Sequence, residues 1–350
     1  MDREIDAIFQ PELPVAWPRL GLGGTIKSVP EDFRVEEWRP VPPEGAGPHL
    51  VLRVEKRALT TDQAAHLLAQ ALGVPRDGVG YAGLKDRQGI TIQDFSVPWA
   101  EGRGLPETLA LPGDLRVLSL TRDRRKIRVG HLSGNHFRVR LRWPAGGEPQ
   151  PRREAPVAER VALIAARGVP NWFGPQRFGR DGDNFAQGRE MLLSPRGRRM
   201  DRHQRGLLLS AIRSELWNRV LHERLNRGVW DSLLPGDVAQ LAGRSACFAV
   251  VDWHEESRRC ALGEIHPTGP LFGAGLMRPT GEADALEQAV AAGEAELLAA
   301  LERMGMEGAR RALRVIPQNM TLTWEEGDAV LAFTLPRGCY ATSVLREFAL

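Results

Sequence analysis

Strand-like alternation marks both ends of this chain but not its middle, and that placement constrains the fold more than any other feature. Leu50–Glu55 alternates apolar and polar residues with the period of a half-buried strand. Phe137, Val139 and Leu141 alternate with Arg138, Arg140 and Arg142 in the same way, which would set three guanidinium groups on one sheet face. Leu115–Leu120 and Lys126–Val129 are further strand candidates. The pattern returns beyond Arg310, where Met320–Trp324 and Ala329–Leu335 flank a Glu-Glu-Gly-Asp turn and are expected to form a hairpin. Between these ends the periodicity is helical, over Val157–Arg167, Gly206–Asn226 and Ala285–Met304. One early helix is expected over Ala64–Leu72, capped by Thr61-Asp62 and stopped at Gly73, and one closing helix over Ser343–Phe348. A chain of 350 residues has room for two domains. The expected arrangement is an α+β fold in which 1–167 and 316–350 share one sheet and 168–315 is inserted between them.

Composition narrows the class. With 42% hydrophobic and 26% charged residues the chain can bury a sizeable core. No apolar run approaches the ~20 residues needed to span a bilayer. The acidic N-terminus lacks the basic-then-apolar order of a signal peptide, and the three cysteines are scattered without a CxxC pair. A cytoplasmic protein away from membranes is expected. The net charge of +3 is uneven: Thr121–Arg142 holds eight bases against Asp123, Arg196–Arg205 five arginines against Asp201, and Glu282–Glu307 seven acids against one base. Two arginine-rich runs in one chain point toward a polyanion such as nucleic acid. Only four of the 47 basic residues are lysines, and Lys27 and Lys85 stand out where arginine is the default.

The stretch GYAGLKDRQGITIQDFS, from Gly80, sets Asp86 between Lys85 and Arg87 in a charged five-residue link, Lys85–Gly89, between two strand-like runs. Such a link is either turn chemistry or a carboxylate held charged for a reaction. Phosphate loops, dinucleotide fingerprints, HExxH and GxSxG motifs are missing, and His131, His136, His254 and His266 lack metal-ligand spacing. Other stretches carry residues suited to unpaired RNA. GHLSGNHF places Asn135 beside Phe137, and FGPQRFGRDGDN interleaves aromatics with Gln176, Arg177 and Arg180. Amides read base edges, while aromatic and guanidinium planes stack on bases. From residues alone the reading stops at an RNA-binding enzyme or module with one candidate carboxylate.

GYAGLKDRQGITIQDFSV resembles the signature of the tRNA pseudouridine synthase D family, called TruD. KSVPEDFRVEE (27–37), GHLSGNHFRVRLR (130–142), GVPNWFGPQRFGRDGDN (168–184), LPGDV (234–238), HPTGPLFG (266–273) and LPRGCYATSVLRE (335–347) are similar to that family too, in its order. The resemblance implies isomerisation of uridine to pseudouridine in tRNA, usually at position 13. It implies a mixed, largely antiparallel sheet flanked by helices and interrupted by a smaller insertion domain. It assigns catalysis to Asp86 and suggests Lys27 as the partner that favours the charged carboxylate. Phe33, Phe137 and Tyr340 become base-stacking candidates and Asn135 a contact to base or aspartate, although the family commonly has phenylalanine where Tyr340 stands. Lys85, Arg87, Arg138, Arg140, Gln176, Arg177 and Arg180 are the expected RNA contacts. The implied reaction involves no redox or phosphoryl step, so no cofactor or metal is expected, and a monomer acting on tRNA suffices. The competing reading is a non-catalytic RNA-binding or RNA-folding protein that would tolerate loss of Asp86.

Overall fold

The computed structural model describes residues 13–143, 150–179, 181–194 and 200–348. The chain opens with β1 (Phe33–Trp38), β2 (His49–Arg57), α1 (Thr61–Leu72), β3 (Gly80–Tyr81), β4 (Ile90–Pro98), β5 (Leu115–Asp123) and β6 (Gly134–Leu141). Its middle holds α2 (Gln150–Arg167), β7 (Val169–Pro170), α3 (Asn184–Leu193), α4 (Arg202–Asn226), β8 (Val238–Leu241), β9 (Cys247–Ala249) and α5 (Trp253–Ala261). Then come β10 (Ile265–Leu271), α6 (Gly281–Ala291), α7 (Ala295–Arg303), β11 (Ala309–Ala312) and β12 (Arg314–Val315). The chain closes with β13 (Gln318–Glu325), β14 (Asp328–Pro336) and α8 (Ala341–Arg346). Two compact units result among the described residues: 22–158 with 318–338, and 159–317 with 13–21 and 339–348.

The first unit is built on an eight-stranded sheet of order β13-β14-β6-β1-β4-β2-β5, with β3 also on β4. Only β1 and β4 run parallel, so the sheet is mixed and largely antiparallel. The two distant ends do share it, since β14 pairs with β6 from Ala329↔Leu141 to Pro336↔Gly134. Apolar residues of β2 and β4 (Leu50, Leu52, Val54, Phe95, Val97) bury against Ala64, Ala65, Leu68 and Leu72 of α1. Removing that apolar area from water is the main favourable term in holding helix to sheet. Thr60, one residue before the expected cap, starts α1 through a capping box with Gln63, and Gly73 ends it at φ +64°.

Strand alternation sorts the side chains into two faces. Phe33, Val35 and Glu37 of β1 lie opposite Val139, Phe137 and Asn135 of β6, on the face that also carries Lys56, Gln93 and α1. The other face carries Arg34, Glu36, Arg53, Glu55, Arg138 and Arg140. It is a lattice of ion pairs: Arg34 and Arg116 on Glu55, Arg53 on Glu36 and Asp94, Arg138 and Arg140 on Glu325.

Three expectations need correction. Lys126–Val129 is not a strand: Lys126 reaches the Asp77 carbonyl and the Ile127 N–H donates to Ser96 Oγ. The helix expected over Ala285–Met304 breaks into α6 and α7 around a 3₁₀ turn at Ala292–Glu294 containing Gly293, a poor helix former. The link between β3 and β4 is also wider than five residues. Gly80 pairs with Ser96 and Tyr81 with Phe95, leaving Ala82–Gly89 to connect them, because Ile90–Ile92 pairs with β1 instead.

The second unit contains a four-stranded sheet, β11-β10-β8-β9, and a two-stranded one, β12-β7. Helix α4 buries Trp217, Val220 and Leu221 among Trp172, Phe173, Trp230 and Leu313, and Leu209, Ile212 and Leu216 against Leu297 and Leu301 of α7. Its Arg224 forms a bidentate pair with Asp237 at 2.6 and 2.9 Å, and both side chains are fully buried. Among the described residues no helix is long and apolar enough to cross a membrane.

Candidate active site

Lys27 enters the site through an unusual backbone conformation. Its φ of +55° lies in the left-handed region, which a lysine occupies at some cost when surrounding contacts fix it. Those contacts flank it on both sides. Thr25 exchanges two backbone hydrogen bonds with Arg142, at 2.7 and 2.8 Å. After it, Pro30–Asp32 forms a 3₁₀ turn in which Asp32 accepts from the Val29 N–H at 3.0 Å and from Arg142 Nε at 2.8 Å. The Lys27 ammonium then sits 4.1 Å from the centre of the Phe33 ring and 3.3 Å from Asp86 Oδ2. Lys27 is 7% exposed and Asp86 44%, so the carboxylate faces solvent while its cation backs it from inside.

The loop bearing Asp86 is fixed at every residue from Gly83 to Gly89 except Leu84 and Gln88. Gln93 Nε2 donates to the Gly83 carbonyl at 3.0 Å, and Thr61 Oγ1 accepts from the Lys85 N–H at 2.8 Å. Thr61 in turn donates to Gln93 Oε1 at 3.0 Å, so strand β4 and the start of α1 hold the loop together. Lys85 turns inward to Glu37 Oε2 at 2.5 Å, with side chains 5% and 0% exposed. Burial pushes the Glu37 carboxyl up, against the pull of Lys85. Lys56 lies beneath: its Nζ donates to the Asp86 carbonyl at 2.9 Å and the Leu59 carbonyl at 2.6 Å. Burial lowers Lys56 to about 8. Arg87 Nε donates to the Ala58 carbonyl at 3.3 Å, and the Ala58 N–H to the Gly89 carbonyl at 3.2 Å. Gly89 has φ +149°, and a Cβ there would lie 2.5 Å from the Phe33 carbonyl oxygen.

The expected site residues therefore divide. Lys27, Phe33 and Asp86 are brought together, and Asn135 and Phe137 share the same sheet face. Phe33 and Phe137, expected to be stacking platforms, are 2% and 8% exposed. Lys27 covers the Phe33 ring, and Phe333 stacks on Phe137 at 5.3 Å and 24°. Both rings are walls of the site in this state, not open platforms. Lys85, expected to contact phosphate, is instead a buried partner of Glu37. Arg138 and Arg140 lie on the opposite sheet face, bound to Glu325, because the two-residue strand period separates them from Phe137. In the second unit Arg177 Nη2 donates to the Tyr340 hydroxyl at 3.3 Å and sits over Phe173, while Gln176 is exposed. Tyr340 thus has the polar partner its hydroxyl needs. Arg180 lies outside the described residues.

Sequence reasoning missed Lys56, Glu37, Thr61 and Gln93. For Lys56 the signal was available: three of only four lysines in an arginine-rich chain converge on this one loop. The arrangement can hold one solvent-facing carboxylate in a fixed direction with positive charge behind it, next to an apolar wall.

Comparison with known proteins bears on this geometry. The family model described as tRNA pseudouridine synthase D (TruD) matches residues 15–194 and 197–348. A protein of Xanthomonas oryzae pv. oryzae named tRNA pseudouridine synthase D is 43% identical over 352 residues, covering 96% of this chain and 94% of that one. Its namesake in Anaeromyxobacter dehalogenans is 44% identical over 334 residues, with 93% of each chain covered. In fold, the chain is similar to a crystal structure from Methanosarcina mazei described as a tRNA pseudouridine synthase D, with a TM-score of 0.75. That likeness is at 22% identity and covers 97% of this chain and 98% of that one.

Proposed function

This chain belongs to the tRNA pseudouridine synthase D family, a family of isomerases, and we propose that Asp86 is the carboxylate through which it converts uridine to pseudouridine in tRNA. The target we assign is the uridine at position 13. The observation that carries the reading is the Lys27–Asp86 pair, 3.3 Å apart, with Asp86 on a loop held from both sides.

The reaction breaks the C1′–N1 bond, turns the uracil, and joins C1′ to C5; N1 gains a proton and the hydrogen at C5 is released. Attack at C1′, addition at C6 and abstraction of the 2′ proton all need an ionised, aimed carboxylate. An ammonium backing the acid favours its charged form. The atoms balance without a cofactor or metal, and none is assigned. The uridine has to leave the RNA stack at a cost of a few kcal/mol. The apolar wall of Phe33 and Phe137 would receive it, with the Asn135 amide reading its edge. Arg87 on the same loop and Gln176, Arg177 and Tyr340 of the second unit are assigned to RNA contact. A monomer working in the cytoplasm completes the proposal.

Asp86→Asn is expected to lower the rate by more than about 1,000-fold, because the reacting group itself is lost. Its tRNA affinity should stay within about threefold, since phosphate contacts supply most of the binding energy. Tritium release from tRNA carrying [5-³H]uridine reads the first, and filter binding the second. Full turnover by this variant would refute the assignment, and unaltered RNA with the wild-type protein would favour a non-catalytic binder.

A further inference from the structure

Lys56 presents a problem of charge. The residue is 1% exposed, and its Nζ is satisfied by two backbone carbonyls, those of Asp86 and Leu59. Among the described residues no carboxylate lies within ion-pair distance of it, unlike Lys27 and Lys85. Burying a cation without an acid beside it costs free energy. Bridging two carbonyls does not by itself require a charge, since a neutral amide or a water molecule can donate to both. The acid that attracts Lys56 is Asp86, the residue whose carbonyl it already holds.

We infer that Lys56 is a positioning residue for the isomerisation: it clamps the main chain of Asp86 and supplies a second positive charge behind the carboxylate. This rests on the reading of Asp86 given above and extends it inward. Lys27 touches the carboxylate from one side, while Lys56 fixes the backbone that aims it. A uridine entering the site displaces water from around Asp86, and the attraction of both ammonium groups for the carboxylate then strengthens. On either side of Asp86 the loop is drawn two ways, Lys85 to Glu37 and Arg87 to the Ala58 carbonyl. The Lys56 amine holds the Asp86 carbonyl between those two contacts. A lysine suits this role better than an arginine, because a compact ammonium reaches two carbonyls from one atom.

The test compares wild type, Lys56→Met, Lys56→Gln and Asp86→Asn. It uses single-turnover tritium release from [5-³H]uridine tRNA at several tRNA concentrations, with circular dichroism to fix a temperature at which each variant is folded. Lys56→Met is expected to lower the maximal rate by about 100-fold, the effect of misplacing a reacting group by about an ångström. The tRNA concentration for half-maximal rate should stay within about threefold. Lys56→Gln, which keeps a donor but no charge, is expected to lose rate in the same direction and serves if the methionine variant does not fold. Either variant, folded and turning over at the wild-type rate, overturns the inference. So does a loss confined to the half-saturating concentration. If Asp86→Asn is inactive while a folded Lys56 variant is normal, only Lys56 is misassigned; if Asp86→Asn is fully active, the aspartate reading itself falls.

Discussion

Single residues decide how Asp86 is aimed. Gly89 carries a φ few side chains tolerate and stands where a Cβ would lie 2.5 Å from the Phe33 carbonyl. Gly89→Ala should therefore cost about 1–3 kcal/mol of stability, measured by urea denaturation, from backbone strain and the forced shift of β1. Because the same glycine ends the Asp86 loop, turnover should fall as well. A variant as stable and as active as wild type would show that the loop is softer than its contacts imply. At this scale the sequence was partly legible. Asp86 and Lys27 could be named from motif resemblance, and arginine bias made retained lysines conspicuous. Lys56 was one of those retained lysines, yet its place in an alternating strand reads as an ordinary polar position, and its partner carbonyls belong to residues 3 and 30 positions away.

Elements were read well where one helix or strand obeyed its own period, and poorly where a distant partner set the geometry. The helix over Ala64–Leu72, the closing hairpin and the alternation in β6 all follow from local pattern. The wide link after β3 does not, since its width depends on β1 pairing in parallel with the first residues of β4. The alternation in β6 also correctly separated arginines from apolar residues, yet it could not say which face held the site. The end of α8 gives a test at this scale. Glu347, just after the helix, is fully buried, and burial raises its carboxyl to about 7, against the pull of the Ala16 and Trp17 N–H groups and of Arg160 and Arg346. The folded value lies above the ordinary 4.5, so the folded state holds the proton more tightly. Its contribution is fully present below pH 4.5 and is lost as pH rises through 7, roughly 3 kcal/mol in all. Glu347→Gln should abolish that slope. In urea denaturation at pH 5 and pH 8 the variant should gain on wild type toward pH 8, and parallel behaviour would count against the burial argument.

Across the whole molecule, charge is spent mostly on the protein itself. The basic run that first suggested a polyanion surface is largely consumed: Arg122 donates to the carbonyls of Gly47, Trp99, Ala100 and Arg103, Arg124 pairs with Glu44, and Arg138, Arg140 and Arg142 meet acids. A count of basic residues along a sequence cannot show this, because the neutralising groups come from segments far away in the chain. The lysines lead to a different, practical property. Three of the four lysine amines are enclosed around one loop, while Lys126, itself half-buried, lies away from that loop and donates to the Asp77 carbonyl. Lys126 is thus the one lysine amine not held at the Asp86 loop. Brief acylation with an N-hydroxysuccinimide ester should modify Lys126 at least about tenfold faster than Lys27, Lys56 or Lys85, by peptide mass spectrometry, since the enclosed amines react only through local opening. A fluorophore could then be placed at one known site without a cysteine substitution, and the labelling of the other three would report the opening of the Asp86 loop.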